Sequence, residues 1–210
     1  MIIKSLHDGT SASYVVVRFE DGTKLRVGVQ LVTEYGLRIG KAFTEQEWSV
    51  FTEAVKRWSA KERAVRIAAA TNISQKKLAR RLVEKGERPD HAEEAVQWLA
   101  ELHLLDDART GETIVHSAVS KGYGINRIRQ ILREKEIPQE YWDELLSDLP
   151  PMDDAIDAQL RKKLKHTNPD RKEIQSAVNS LLRYGHTWPD IKAALERFHA
   201  DADMEEPECL

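Results

Sequence analysis

The sequence predicts a mainly α-helical protein: tandem three-helix repeats in an elongated array, with a small N-terminal β-hairpin. Three observations predict it. A unit returns about every fifty residues, with Leu82, Leu132 and Leu181 each in a basic, helix-forming stretch. Each stretch ends at a turn carrying proline, at Pro89-Asp90, Pro138-Gln139 and Pro189-Asp190, and an acidic helix with an apolar face follows. Residues 1–40 read differently, as β-rich segments around Asp21-Gly22. A unit of this length that recurs is one supersecondary element used repeatedly, with neighbours stacked to bury a common core.

The hairpin comes first. Tyr14–Phe19 and Leu25–Val29 are rich in β-branched and aromatic residues, and Asp-Gly is a two-residue turn signal. Such a turn sets Glu20 opposite Thr23, Val16 opposite Val27 and Tyr14 opposite Val29. The shared face is then nearly all apolar, and Lys24 and Arg26 lie on the other. A lone hairpin is marginal, so this face is expected to pack on a helix or pair with the first residues. Thr44 with Glu47 forms a capping box for a helix carrying Trp48, Phe51, Val55 and Trp58. These residues make the first domain, 1–58.

The repeats are placed at 59–105, 106–150 and 151–200. In the first, Ser74 caps a helix with Leu78 and Leu82 that Gly86 ends, and a third helix lines up Ala92, Ala95, Val96 and Leu99. The second opens at Asp106-Asp107, breaks at Lys121-Gly122-Tyr123-Gly124, and continues with Ile125, Ile128, Ile131 and Leu132. Its last helix carries Trp142, Leu145 and Leu146, and Pro150-Pro151 stops it. The third has Ile156, Leu160, Ile174, Val178, Leu181, Ile191 and Leu195, with a junction at His166-Thr167-Asn168-Pro169. Residues 201–210 are expected to be a disordered acidic tail.

Composition narrows the function classes. Apolar residues make up 41% of the 210 and charged residues 32%, enough for a core and a large polar surface. No run approaches the roughly 18 apolar residues of a membrane span. Met1-Ile2-Ile3-Lys4 does not open a signal peptide. Cys209 is the one cysteine, so no disulfide framework exists, consistent with a cytoplasmic setting. The net charge of −3 argues against coating nucleic acid by bulk electrostatics. The charge is locally ordered all the same. Lys76, Lys77, Arg80, Arg81, Lys85 and Arg88 crowd one helix, and Lys121, Arg127, Arg129, Arg133 and Lys135 crowd its counterpart; acidic helices follow both. One reading is solvated faces, the other a surface for a charged partner.

Motifs of catalysis are weak. Gly36-Leu37-Arg38-Ile39-Gly40-Lys41-Ala42 is one residue short of a phosphate-binding loop and lacks its hydroxyl, so a turn into the next helix is the better reading. No two histidines stand at the four-residue spacing of a zinc site; each reads as a surface or boundary residue. Asp106 and Asp107 point apart on a helix and read as a cap. Trp98, Trp142 and Trp188 read as core rather than base-stacking platforms. No cofactor, metal or catalytic set is expected. Without a heptad seam, a monomer is the default.

Leu104-Leu105-Asp106-Asp107-Ala108-Arg109, then Lys121-Gly122-Tyr123-Gly124-Ile125-Asn126-Arg127-Ile128 and Leu132-Arg133-Glu134-Lys135, resemble the RecX family. Ser74, Leu78, Leu82 and Gly86 match the family's preceding unit, and Tyr35-Gly36-Leu37 with Gly40-Lys41 resembles its N-terminal part. Two places depart. The family usually has an aromatic and alanine at Thr110-Gly111, and glycine at Glu136. Gly111 is expected to weaken its helix by roughly 1 kcal/mol relative to alanine. The resemblance implies that the tandem three-helix units form a long, curved array, and that the chain is a regulator of the RecA recombinase, and so of DNA repair and the SOS response. It implies docking in the groove of the RecA filament on single-stranded DNA and a lowered ATPase and strand exchange, by binding without catalysis. The expected contacts are Lys77, Arg80, Arg81, Lys121, Arg127, Arg129 and Arg133, with Gly122 shaping the turn that presents them. Direct nucleic-acid contact, by a DNA-binding module, and a helical scaffold for another protein remain the alternatives.

Overall fold

Turn chemistry decides the register of the first sheet. In the computed structural model, which describes residues 1–164 and 169–198, strands β1 (Ile3–Asp8), β2 (Tyr14–Phe19) and β3 (Lys24–Gly28) form an antiparallel sheet in that order. The β2–β3 turn has three residues, not two. Phe19 N–H donates to Thr23 O at 2.9 Å, and Gly22 takes a φ of +89°. Asp21 accepts from Thr23 N–H at 3.0 Å and from its hydroxyl at 2.8 Å. Val15 therefore pairs with Val27 and Val16 with Arg26, one residue away from the expected register. A slip of one exchanges the faces. Val17, Phe19 and Val27 form the buried face, while Val16 lies across from Arg26, whose guanidinium covers the Tyr14 ring at 4.1 Å. Val29 is exposed and starts helix α1 (Val29–Glu34) instead of extending the strand.

Helix α2 (Glu45–Ala70) begins at Thr44, whose capping box with Glu47 is formed. Its first half buries Phe51, Val55 and Trp58 against the sheet, with Phe43 stacked on Phe51 at 5.0 Å. It runs unbroken across positions 58 and 59. Its second half turns Ala60 and Ala64 toward α3 (Gln75–Glu84) and α4 (Pro89–Glu101), where Leu78, Leu82, Ala92, Ala95 and Leu99 complete a second core. One helix of 26 residues thus serves both the sheet and the first three-helix set. These elements form one compact unit, Met1–Asp106.

The other unit, Asp107–Leu210, holds two further three-helix sets. The first is α5 (Asp107–Ser120), α6 (Ile125–Glu134) and the short α7 (Trp142–Ser147), which follows a 3-10 turn at Gln139–Tyr141. The second is α8 (Asp153–Lys163), α9 (Arg171–Arg183) and α10 (Trp188–Arg197). Each has its own core, around Ile128 and Leu132 in one and around Ile156, Leu160 and Leu181 in the other. The expectations for His166-Thr167-Asn168 and for residues 201–210 lie outside the described residues.

The repeating leucine has a physical cause. Leu82, Leu132 and Leu181 are all buried, and each accepts the bond that closes its helix: from Glu87 N–H at 3.1 Å, Ile137 N–H at 3.0 Å and His186 N–H at 3.2 Å. The residue before each donor is left-handed: Gly86 at φ +91°, Glu136 at +58° and Gly185 at +86°. This is the 6→1 bond of a Schellman ending, which asks for glycine at that place. Gly111 also has a packing role. A Cβ there would lie 2.5 Å from Leu145 Cδ1, so the missing side chain is the space α7 packs into.

Candidate partner-binding surface

The basic side chains follow from how α3 and α6 bury their leucines. With Leu78 and Leu82 inward, Lys76, Arg80 and Arg81 are exposed and Lys77 is half-buried. With Ile128 and Leu132 inward, Arg129 and Arg133 are exposed in one helical row, and Arg127 is half-buried. Lys121 is exposed in the turn where Gly122 takes a φ of +71°. Lys77, Arg80 and Arg81 belong to the first compact unit and the remainder to the second.

The two basic helices do not repeat one another residue for residue. Aligned on Leu82 and Leu132, Lys77 corresponds to Arg127 and Lys85 to Lys135. Arg80 and Arg81 meet Gln130 and Ile131, and Arg129 and Arg133 meet Ala79 and Val83. Composition recurs while the charged face is redrawn. Some of the charge is also engaged within the chain. Arg80 lies 3.5 Å from Glu84, Arg127 lies 3.7 Å from Glu134, and Arg133 stands over the Trp142 ring at 5.8 Å. Arg81, Lys121 and Arg129 have no ion-pair partner among the described residues. Exposed pairs of the first kind contribute little, from about 0 to 1 kcal/mol.

Arg127 has a second role that its sequence position hid. Its backbone lies against Gly185, where the α9–α10 turn meets the α5–α6 turn. Gly124 N–H donates to Tyr184 O at 2.9 Å, and Asn126 N–H to Gly185 O at 3.1 Å. His186 Nε2 donates to Gly122 O at 3.1 Å. A Cβ on Gly124 or Gly185 would collide with the opposing backbone. The Tyr123 and Tyr184 rings close the same junction at 5.5 Å. Gly122 and Arg127 thus belong to an internal junction as well as to the basic surface. Gly185, four residues after Leu181 as Gly86 follows Leu82, was the available signal for it.

Two histidines are buried rather than at the surface, His186 and His91. Burial pushes the His186 pKa down, against the raising effects of its Gly122 bond and of Asp190. Its Nδ1 has no hydrogen-bond partner among the described residues. His91 Nε2 lies 2.8 Å from Glu53 Oε1, and this bond lowers the Glu53 pKa. Glu53, Asp90 and His91 bring ligand atoms within 4.8 Å of one another. Arg88 already spans the two carboxylates, at 3.1 Å from Glu53 and 2.6 Å from Asp90, and supplies the cation there.

The other motifs resolve simply. Gly40 N–H donates to Ile3 O at 2.9 Å, and Ile3 N–H to Lys41 O at 2.9 Å, so the glycine-containing loop is spent on pairing with β1. Lys41 Nζ donates to Tyr35 O. Trp98, Trp142 and Trp188 are half-buried at the edges of their cores, and Trp142 Nε1 donates to Ile137 O at 3.1 Å. Asp107 is buried in the first turn of α5. No described helix is long and apolar enough to cross a membrane.

Three-helix sets with basic second helices define a helical-repeat protein that presents charged faces. Comparison with known proteins narrows this class. The family description "RecX, second three-helix domain" matches residues 106–146. Regulatory protein RecX of Cronobacter sakazakii is 32% identical over 152 residues, 65% of this chain and 90% of that protein. Regulatory protein RecX of Halorhodospira halophila is 30% identical over 148 residues, 69% of this chain and 90% of its own. The crystal structure of a regulatory protein RecX superposes with a TM-score of 0.69 at 16% identity, covering 95% of this chain and 99% of that one. RecX from Lactobacillus salivarius gives 0.59 at 17% identity over 70% of this chain and 99% of its own. The chain belongs to the RecX family. Its relatives are named as regulatory proteins.

Proposed function

We propose that this chain is a non-catalytic cytoplasmic regulator of a RecA recombinase. In this reading it docks in the groove of the RecA filament on single-stranded DNA and lowers ATPase and strand-exchange activity. The observation that carries the reading is its likeness to RecX proteins over 90% of their length. Three repeats, 59–105, 106–150 and 151–200, would supply the surface. Arg81, Lys121 and Arg129 are the leading contacts, because nothing within the described chain neutralises them. Lys77, Arg80, Arg127 and Arg133 add charge, with Gly122 setting the turn.

The test is the single-stranded-DNA-dependent ATPase of the cognate RecA, titrated with this protein. A fall at substoichiometric amounts is expected. Arg129→Glu combined with Lys121→Glu is expected to raise the half-inhibitory concentration about tenfold, the equivalent of about 1.4 kcal/mol. Its melting temperature should be unchanged, because both side chains are exposed. Reversing Arg127 or Arg133 is a poorer test, since both have internal contacts. No fall at molar excess overturns the reading. Binding to bare single-stranded DNA that weakens steeply with salt would replace it with direct nucleic-acid recognition.

A further inference from the structure

The middle three-helix set leaves its core open on one side. Helix α7 has six residues and none buried, whereas α4, its counterpart in the first unit, has thirteen and buries five. Pro150 and Pro151 prevent further turns of α7. Between α5 and α7 lies an open groove of about 600 Å³. Val115, Val119, Leu145 and Leu149 line it, and Glu112, Glu144 and Asp148 bring carboxylates to it. His116 is the one basic-type side chain in the lining.

Those three carboxylates are exposed and have no ion-pair partner among the described residues. Some acidic groups elsewhere are held, Glu87 by Arg63 at 3.0 Å, Glu94 by Lys61 at 2.9 Å and Asp157 by Arg197 at 2.8 Å; the three at the groove are set apart by converging on an apolar floor. An apolar floor with unneutralised negative charge at its edges selects an occupant that is apolar on one side and cationic at its flanks. Phosphates are repelled. The chain's own residues 201–210 carry Asp201, Asp203, Glu205, Glu206 and Glu208, the wrong sign. The basic helices of a second copy do not fit either, because their Leu78, Leu82, Ile128 and Leu132 are fully buried.

We propose that the α5–α7 groove is a docking site for a basic amphipathic helix of a partner protein. The helix lays apolar residues at helical spacing on Val115, Val119, Leu145 and Leu149, and its Lys or Arg side chains meet Glu112, Glu144 and Asp148. This surface is separate in charge and chemistry from the basic one, and it does not depend on the identity of the partner met there.

The experiment uses the full chain and a fluorescein-labelled synthetic helical peptide of leucine and lysine, read by anisotropy. A control peptide has glutamate in place of each lysine. The lysine peptide is expected to bind, and the glutamate peptide to bind at least about tenfold more weakly. Combined Glu112→Lys, Glu144→Lys and Asp148→Lys should weaken the lysine peptide about tenfold or more. Combined Glu20→Lys, Glu93→Lys and Glu196→Lys changes net charge equally at exposed sites that are not part of the groove lining, and should change binding by less than about twofold. Equal losses in the two triple variants would mean bulk attraction and overturn the proposal, as would failure of the lysine peptide to bind. RecA is absent from the assay, so its outcome is independent of the ATPase titration.

Discussion

In the N-terminal unit, the sheet and the three-helix set are tied by side chains along one shared helix; in the C-terminal unit, two three-helix sets are tied by backbone. Along α2 the ties are Glu53 to Arg88 and His91, Lys61 to Glu94 at 2.9 Å, and the buried Phe51, Val55 and Trp58. At the α5–α6 and α9–α10 turns they are two main-chain hydrogen bonds and one from His186 to a main-chain carbonyl. Side-chain ties weaken by degrees, since each exposed ion pair contributes about 1 kcal/mol or less. Backbone ties depend on close approach, and a single Cβ prevents it. The C-terminal junction therefore concentrates in two glycines what the N-terminal unit spreads over a helix.

The largest expected effect tests that contrast directly. Gly86 and Gly185 end α3 and α9 in the same left-handed conformation, at φ +91° and +86°. A Cβ at Gly86 meets nothing within 4 Å, while one at Gly185 collides with the Arg127 backbone. Gly86→Ala should cost only the left-handed penalty, about 1 kcal/mol. Gly185→Ala should cost about 3 kcal/mol, adding the forced separation of the two turns. Chemical denaturation of both variants checks this. Equal losses would mean the junction contributes no more than an ordinary helix end.

What the sequence revealed, and what it hid, divides along the same line. Features set by neighbours in the chain were legible: the Thr44–Glu47 box, the buried Leu82, Leu132 and Leu181, and the Gly86 ending. Features set by distant partners were not, and one local choice, the length of a turn, went the other way. The β2–β3 register turned on whether Asp21-Gly22 closed two residues or three, and the competing turn won because Asp21 bonds Thr23 while Gly22 supplies the positive φ. The engagement of Arg127 with Gly185 and of Arg133 with Trp142 needed positions on other helices. Of the expected contact residues, the exposure of Arg80, Arg81, Arg129 and Arg133 was readable from helical periodicity, but the half-burial of Lys77 and Arg127 and the internal pairing were not. Nor could the sequence show that Leu145, from a helix thirty-odd residues away, fills the space beside Gly111.

A second effect is a pH dependence confined to the backbone junction. The unfolded chain protonates His186 near 6.5, and burial lowers this in the fold. Below pH 6.5 the unfolded state therefore takes up the proton first, and stability falls until the pH passes the lower folded pKa. One proton gives a slope of at most about 1.4 kcal/mol per pH unit. His186→Gln keeps a donor for Gly122 O without titrating. The difference in stability between the wild type and this variant should shift against the wild type between pH 7 and pH 5. A constant difference across that range would show that protonation of His186 leaves the junction unaffected.

The smallest expected effect comes from the middle helix of the same series, α6. Glu136 ends α6 at φ +58°, where α3 and α9 use glycine. A side chain in that conformation costs roughly 1–2 kcal/mol, and glycine returns part of the gain through its greater freedom in the unfolded chain, about 0.4–1 kcal/mol. Glu136→Gly should therefore stabilise the protein by about 0.5–1 kcal/mol, seen as a higher denaturation midpoint with an unchanged slope. Ile137 N–H would keep its bond to Leu132 O, so α6 and its basic face stay in place. A loss of stability would show that the interactions of Glu136 outweigh its backbone strain, making the middle helix end a side-chain tie within a unit otherwise joined by backbone.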